Sequence, residues 1–147
     1  MTPNAEGWLD LSERNVAMVR RLYQATNEND LSTFLDLLHP EIELTTSGVY
    51  PDFNPSYRGH EGALKYWQTV RGVWDAFSVE IRRCESVRDR VLALLSQRVE
   101  GRDGIVVEHD WGHLFEFADG LIRRGTGYAS WEAAIQAAGA ESGVRGG

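Results

Sequence analysis

Cysteine is nearly absent from this sequence, since Cys84 is the only one. A lone cysteine excludes an intrachain disulfide and any zinc site built from several cysteines. Long apolar runs are also missing, and none approaches the roughly 20 residues that a membrane-spanning helix needs. The opening MTPNAEGWLDLSER has neither the basic region nor the apolar region of a secretory signal. We therefore expect a cytoplasmic protein without a membrane partner.

Basic charge is scarce, with 15 Lys and Arg against 22 Asp and Glu, for a net charge of -7. Proteins that bind nucleic acid usually concentrate their basic residues in a patch, whereas here these residues are dispersed among acidic ones. No phosphate-binding loop, G-x-S-x-G or HExxH motif occurs. We expect no nucleic-acid partner, no metal and no organic cofactor.

The residues that are present fit one globular domain, because the 147-residue chain is 42% hydrophobic and 25% charged. Apolar side chains at three- and four-residue steps predict a helix from Ser12. A second, short helix is predicted from its N-cap Asp30 to about His39, because Pro40 cannot continue it. Alternating apolar and polar residues then predict a strand over residues 41–48.

The stretch YRGHEGALKYW, residues 57–67, carries a histidine and a glutamate between two glycines. It follows a loop with two prolines and precedes helical spacing of apolar residues. Gly59 can take the positive φ of a sharp turn, and a carboxylate at Glu61 suits a helix N-terminus. We interpret the stretch as a strand-to-helix joint and give His60 and Glu61 structural roles over a ligand site.

The second half of the chain predicts a mostly antiparallel sheet followed by a helix. The pair Asp119-Gly120 is a strong hairpin signal. A last helix, WEAAIQAAG, is predicted between a Ser130 cap and Gly139. The four strand candidates are residues 76–86, 89–101, 105–117 and 121–129.

This order of elements resembles the cone-shaped, cystatin-like α+β fold of the nuclear transport factor two-like superfamily. Three segments, NVAMVRRLYQATNENDLSTFLDLLHPEIEL, YRGHEGALKYW and FEFADGLIRRGTGYASWEAAIQAAG, are similar to its SnoaL-like (polyketide-cyclase-like) branch. The resemblance covers residues 12–139 and leaves 1–11 and 140–147 as terminal extensions. It implies N-terminal helices packed on a curved, mostly antiparallel sheet that encloses an apolar cavity, and a homodimer formed through the outer sheet face. The fold hosts several enzyme classes and non-catalytic binding modules, so function has to be argued from the site.

The strand EHDWGHLFEF alternates strictly, which fixes two sets of side chains on opposite faces. The aromatic set is predicted to face the cavity: His109, Trp111, His113, Phe115 and Phe117. The acidic set is predicted to face outward: Glu108, Asp110, Gly112, Leu114 and Glu116. The two histidines are about 13 Å apart along a strand, which is too far for one metal ion.

His113 is the first candidate for a catalytic residue, because histidine is the side chain most easily tuned across neutral pH. The alternative is a core histidine that a hydrogen bond satisfies. Glu100, Tyr23 and Thr46 are the polar groups expected nearest to it.

Arg98 and Glu100 share a strand face with Ser96, and on the concave face they would form an orienting ion pair in the cavity. The alternative is a salt bridge at the rim. The pattern resembles the Arg-x-Asp element of limonene epoxide hydrolases, but the position of their second aspartate falls on Gly127.

The catalytic residues of other branches of the superfamily are missing from this sequence. The general base of ketosteroid isomerases falls on Thr46 and their oxyanion-hole tyrosine on Leu22. The stretch IRRGTGYA has no carboxylate where SnoaL-like cyclases carry their catalytic aspartate.

This last strand also poses a conflict, which a bulge near Gly125 would resolve. The hairpin register turns Arg124, Thr126 and Tyr128 toward the cavity, whereas the resemblance turns Gly125, Gly127 and Ala129 there.

The resulting hypothesis is a protein that binds an apolar, cyclic small molecule. His113 would act as acid or base of a cofactor-free isomerase, cyclase or hydrolase, with Glu100 and Arg98 beside it. The alternative is a non-catalytic ligand-binding or dimerisation module, and the sequence leaves open whether the protein is an enzyme. The predicted ligand contacts are Tyr23, Thr46, Tyr50, Trp67, His109, Trp111 and Phe115.

Overall fold

The structure is a computed structural model that describes residues 3–45 and 56–139. The helices are α1 (Pro3–Asn27), α2 (Leu31–Asp36), α3 (Gly59–Val73) and α4 (Trp131–Ala138). The strands are β1 (Leu38–Thr45), β2 (Ser56–Arg58), β3 (Ala76–Val87), β4 (Arg90–Glu100), β5 (Val106–Ala118) and β6 (Leu121–Tyr128). None of the helices in these two ranges is long and apolar enough to cross a membrane.

The six strands form one sheet in the order β2-β1-β6-β5-β4-β3. β1 and β6 run parallel, and the other neighbouring pairs are antiparallel. The N-terminal helices pack on one face of this curved, mixed sheet, which confirms the predicted α+β fold.

The first two helices differ from the sequence prediction at their ends. α1 begins at Pro3, well before Ser12, and proline is suited to a first turn because that turn needs no N–H donor there. Asp30 caps α2 as predicted, with its side chain accepting a hydrogen bond from the Thr33 N–H. The regular three- and four-residue steps of apolar residues begin only after Ser12, so the spacing did not predict the earlier turns of α1.

The predicted end of α2 near His39 is wrong, because the helix ends at Asp36 and the next residues join the sheet. The Ile122 N–H donates to the Leu37 carbonyl at 3.0 Å, which draws the chain beside β6. Pro40 therefore lies inside β1, within a register shift, where its missing N–H removes no ladder hydrogen bond.

In the joint at residues 57–67, Gly59 and His60 have the structural roles that the sequence predicts. Gly59 has a φ of 69° at the start of α3. The His60 Nε2–H donates to the Leu38 carbonyl at 2.8 Å, which ties the start of α3 to β1. Glu61 lies in the first turn of the helix. These contacts support the structural interpretation of the stretch.

The hairpin between β5 and β6 is confirmed. Asp119 and Gly120 have φ values of 55° and 77°, the positive pair that a two-residue type I′ turn requires. The register then shifts by one residue, because Phe117 pairs with Ile122 while Glu116 pairs with Arg124.

The extra residue in β6 is Arg123, so the bulge lies slightly earlier than predicted. Beyond it, Phe115 pairs with Gly125 and His113 with Gly127. The glycines therefore share the face of the aromatic residues, as the resemblance implied. This resolves the conflict. The pairing set by the two-residue turn holds between the turn and the bulge, and the pairing implied by the resemblance holds beyond the bulge.

A second core lies on the outer face of the sheet, where α4 packs. Ser130 caps the helix through the Ala133 N–H, and Gly139 ends it with a φ of 71°. Gly112 and Leu114 face outward as predicted, and α4 of the same chain covers both of them, which leaves the rest of the outer face for the predicted dimer. The second core consists of Leu92, Leu94, Leu114, Ala134, Ile135 and Ala138.

Candidate functional site

A pocket of about 110 Å³ lies between the N-terminal helices and the concave face of the sheet. Its wall is mainly apolar and aromatic. An engineered cavity of about 150 Å³ in another protein holds benzene, so this pocket has the scale of one ring. The aromatic lining residues are Tyr23, Phe34, Tyr66, Trp67, Phe77, Trp111 and Phe115. The other lining residues with polar side chains are Thr26, Thr45, Arg71, Gln97, His113 and Thr126.

His113 and Tyr23 form a hydrogen-bonded pair at the pocket wall. The Tyr23 oxygen lies 2.5 Å from Nδ1 of His113, between α1 and the middle of β5. The two rings stack with centroids 5.8 Å apart, and Phe115 meets the imidazole edge-on at 6.0 Å. Tyr23 and Phe115 are buried and His113 is largely buried, so packing fixes the orientation of the imidazole.

Burial keeps both members of this pair neutral at pH 7. It lowers the pKa of His113 to about 4, because the imidazolium loses its hydration in the apolar wall. Burial also raises the pKa of the Tyr23 hydroxyl well above its ordinary value. A neutral imidazole has one donor and one acceptor nitrogen, so Nδ1 and Nε2 have opposite roles.

The Nε2 edge of His113 faces a wall without side-chain volume. A Cβ built on Gly127 would lie 3.6 Å from Nε2 and 3.5 Å from Cδ2. Within the described residues Nε2 has no hydrogen-bond partner. Glycine at position 127 therefore places no side chain against this nitrogen, and His113 itself lines the pocket.

Several predicted ligand contacts do line the pocket: Tyr23, Trp67, Trp111, His113 and Phe115. Thr46 and Tyr50 lie outside the described residues. The predicted position of His109 at the cavity is wrong, because its side chain is exposed and lies outside the pocket. Its Nε2–H donates to the Ala129 carbonyl at 2.9 Å, and its ring lies 3.9 Å from that of Trp111. The first half of β5 extends past the helices, so alternation there no longer separates buried from exposed side chains.

The cavity placement of Arg98 and Glu100 is also wrong. Gln97 lines the pocket and Val99 is buried, so their neighbours face outward, and Arg98 is exposed. Residues 91–95 are all buried, because the helical layer covers one face of β4 and α4 covers the other. The alternation that would have identified the inner face of β4 is therefore absent from the sequence.

Arg71 and Gln97 are pocket residues that the sequence interpretation missed. Arg71 follows Trp67 by four residues on α3, so helical spacing places the two on one face. That spacing could have identified Arg71. Gln97 could not be identified without the inner face of β4.

The comparison with protein families agrees with this fold. The SnoaL-like domain model matches residues 19–125, which run from α1 into β6. The chain belongs to the SnoaL-like domain family. Among the described residues, the matched range includes all that line the pocket except Thr126 and Gly127. Among curated proteins, none matches this SnoaL-like chain in sequence.

Solved structures of the same fold cover nearly all of the domain. A protein described as a SnoaL-like polyketide cyclase from Jannaschia sp. is 16% identical, with 93% of this chain and 94% of that chain covered and a TM-score of 0.70. An LEH-like epoxide hydrolase from M. tuberculosis is 18% identical, with coverages of 85% and 92% and a TM-score of 0.67. TerC, co-crystallised with polyporic acid, is 20% identical, with coverages of 86% and 99% and a TM-score of 0.71. At these identities the likeness shows the fold alone.

Proposed function

We propose that this SnoaL-like domain binds an apolar, ring-sized small molecule in the pocket and that His113 acts on it as a general base. The observation that carries the proposal is the Tyr23–His113 pair, which orients a pocket-lining imidazole whose Nε2 has no hydrogen-bond partner among the described residues. Similar structures co-crystallised with small molecules, such as TerC with polyporic acid, support binding at this fold.

The tautomer decides the role of His113. When Nδ1 carries the hydrogen and donates it to the Tyr23 oxygen, Nε2 presents a lone pair to the pocket. Nε2 can then accept a proton from the ligand, and the Tyr23 oxygen stabilises the imidazolium that forms. In a catalytic triad, the residue that accepts the hydrogen bond from Nδ1 of the histidine has this role.

The lowered pKa sets the strength of the base. A pKa of about 4 gives the His113 imidazole the basicity of an ordinary carboxylate, so the imidazole is fully deprotonated at pH 7. A reaction that begins and ends with proton transfer, such as isomerisation beside a carbonyl group, needs no other reactant. The base takes the proton from one carbon and returns it to another.

Deuterium exchange tests this chemistry before the natural substrate is known. We would incubate the protein with cyclohexanone, 2-cyclohexenone and 1-indanone in D₂O and follow deuterium incorporation by mass spectrometry. Catalysed exchange is expected with at least one ketone, and it should fall about 10²- to 10⁴-fold in His113→Gln. Binding should stay within about tenfold, because the amide retains hydrogen bonding. His109→Gln is the matched control, since His109 is exposed and outside the pocket.

The pH profile gives a second readout. Exchange should be level from about pH 5 to 8 and fall tenfold per unit below the pKa of about 4, because protonation removes the Nε2 lone pair. Unchanged exchange in His113→Gln would contradict the proposal.

A second candidate function is a ligand carrier without catalysis. It is favoured by the absence of Asp and Glu from the pocket lining in the described residues. Binding of a ketone with no exchange above that of the His113→Gln variant would support the carrier.

A further inference from the structure

Arg71 is the one permanently charged side chain in the described part of the pocket lining. It lies in the last turn of α3 and is partly buried. A guanidinium carries five N–H donors and no acceptor. Its place in a mainly apolar wall therefore needs a physical account.

Three contacts hold the guanidinium in one position. Its central carbon lies 5.6 Å from the ring centroid of Trp67 and 5.6 Å from that of Phe77, both of which line the pocket. Nη1 donates to the Thr26 carbonyl at 2.7 Å. A side chain anchored on two rings and a carbonyl is preorganised, so little rotamer entropy is lost when it binds a further group.

None of these three contacts supplies a negative charge. Arg71 forms no ion pair with Asp or Glu in residues 3–45 and 56–139, whereas Arg21, Arg58 and Arg124 do. Withdrawing a cation from water without a counter-charge is costly. A guanidinium is also the side chain best matched in shape to a carboxylate.

We propose that the ligand of the pocket carries a carboxylate that Arg71 binds, with its apolar ring directed toward His113. This inference rests on the proposed function, since it names the class of molecule that the pocket would take. The net charge of -7 repels anions at long range, so any preference for an anion has to come from a local cation.

A structural role for Arg71 is the competing account. A basic residue in the last turn of α3 interacts favourably with the helix dipole, and its bond to Thr26 joins α3 to α1. That role predicts lower stability when Arg71 is replaced. It does not predict that the pocket distinguishes an anion from a neutral molecule of the same shape.

Benzoate and benzamide provide the test, because they share one ring and differ mainly in charge. Calorimetric titration at pH 7 should show wild-type protein binding benzoate at least about tenfold more tightly than benzamide. In Arg71→Gln this ratio should approach one, with benzamide binding within about threefold of wild type. Arg71→Lys should keep part of the preference, since it retains the charge but loses the planar fork. Arg14→Gln is the matched control, because it removes an equal charge from an exposed position on α1.

The outcomes separate the two proposals. Equal binding of benzoate and benzamide by wild type, or an unchanged ratio in Arg71→Gln, would overturn the carboxylate inference and leave the pocket as a small-molecule site. Failure of benzoate to bind would overturn the carboxylate inference alone, because ketone exchange tests the proposed function independently. If Arg71→Gln does not fold, benzoate must still shift the Arg71 Nε–H resonance of the wild-type protein in NMR spectra, and no shift would also overturn the inference.

Discussion

At the scale of single residues, the environment of His113 decides its chemistry. Trp111 and Phe115 lie two positions before and after it and line the same pocket, and burial makes its protonated form unfavourable. The only side chain that hydrogen-bonds to it in the described structure is Tyr23. An oppositely charged group beside Nε2 would reverse this balance, and Gly127 is the position from which one could be supplied.

Gly127→Asp is expected to raise the pKa of His113 above its present value of about 4 by one unit or more, because a carboxylate within reach stabilises the imidazolium. An NMR titration of the imidazole nitrogens would measure the shift. Gly127→Asn is the matched control, since it has the same shape without the charge. An equal His113 pKa in the two variants would mean that position 127 is not adjacent to Nε2.

At the scale of elements, α4 determines which parts of the outer sheet face are available. A Cβ on Gly112 would lie 2.2 Å from the Ala134 Cβ and 3.1 Å from the Ser130 carbonyl oxygen. The helix can approach β5 this closely only because position 112 has no side chain. Glycine in this strand thus has a packing role that its place in an acidic, outward-facing set does not suggest.

Gly112→Ala should lower the free energy of unfolding by about 1–3 kcal/mol, because α4 or β5 has to move to relieve the clash. Urea denaturation followed by circular dichroism would measure the change. Gly127→Ala is the matched glycine control, since its Cβ would meet only ordinary contacts at 3.5–3.6 Å. Equal stability of the two variants would argue against the close packing of α4 on β5.

At the scale of the whole molecule, the buried histidine links folding to pH. The pKa of His113 is about 4 in the folded protein and about 6.5 in the unfolded chain, so the unfolded chain binds its proton first as pH falls. The stability that His113 contributes is therefore fully present above about pH 6.5 and is lost progressively down to pH 4.

We expect the stability of wild type relative to His113→Gln to fall by about 3 kcal/mol between pH 7 and pH 4. Chemical denaturation at several pH values would measure the free energy of unfolding of both proteins. The difference between the two cancels the contributions of titratable groups that both proteins contain. A constant difference between wild type and His113→Gln would contradict burial of the imidazole.

The homodimer also belongs to this scale, and it stays a prediction. Beyond α4, the outer face carries a polar row across three strands. Arg82 lies 2.8 Å from Glu80 and 3.1 Å from Ser96, whose hydroxyl donates to Asp110 at 2.9 Å. Arg82 thus offsets part of the acidity that would oppose two such faces across a two-fold axis.

We expect a dimer in sedimentation velocity at micromolar concentration. Arg98→Glu, on the exposed outer face, should shift it toward monomer by adding like charge to the interface. Arg14→Glu on α1 makes the same charge change away from the sheet and should leave the dimer intact. A monomeric wild-type protein would refute the prediction.

The sequence by itself determined the features that local chemistry controls. Its β5 alternation placed His113 on the concave face, Asp119-Gly120 fixed a hairpin, and Ser130 and Gly139 bounded the last helix. Each depends on side-chain direction or backbone preference within a few residues, which the order of amino acids specifies directly.

Only the tertiary structure decided which layers cover which strand. Because both faces of β4 are buried, residues 91–95 carry no alternation, and Arg98 was assigned to the wrong face. Tyr23 was one of three polar groups expected near His113, but the two residues are 90 positions apart, so no local pattern selects Tyr23 from the three. Their contact exists because α1 packs on β3 and β4, close enough to β5 for the Tyr23 side chain to reach His113. Burial in this layer keeps the imidazole neutral, and the hydrogen bond from α1 fixes its orientation.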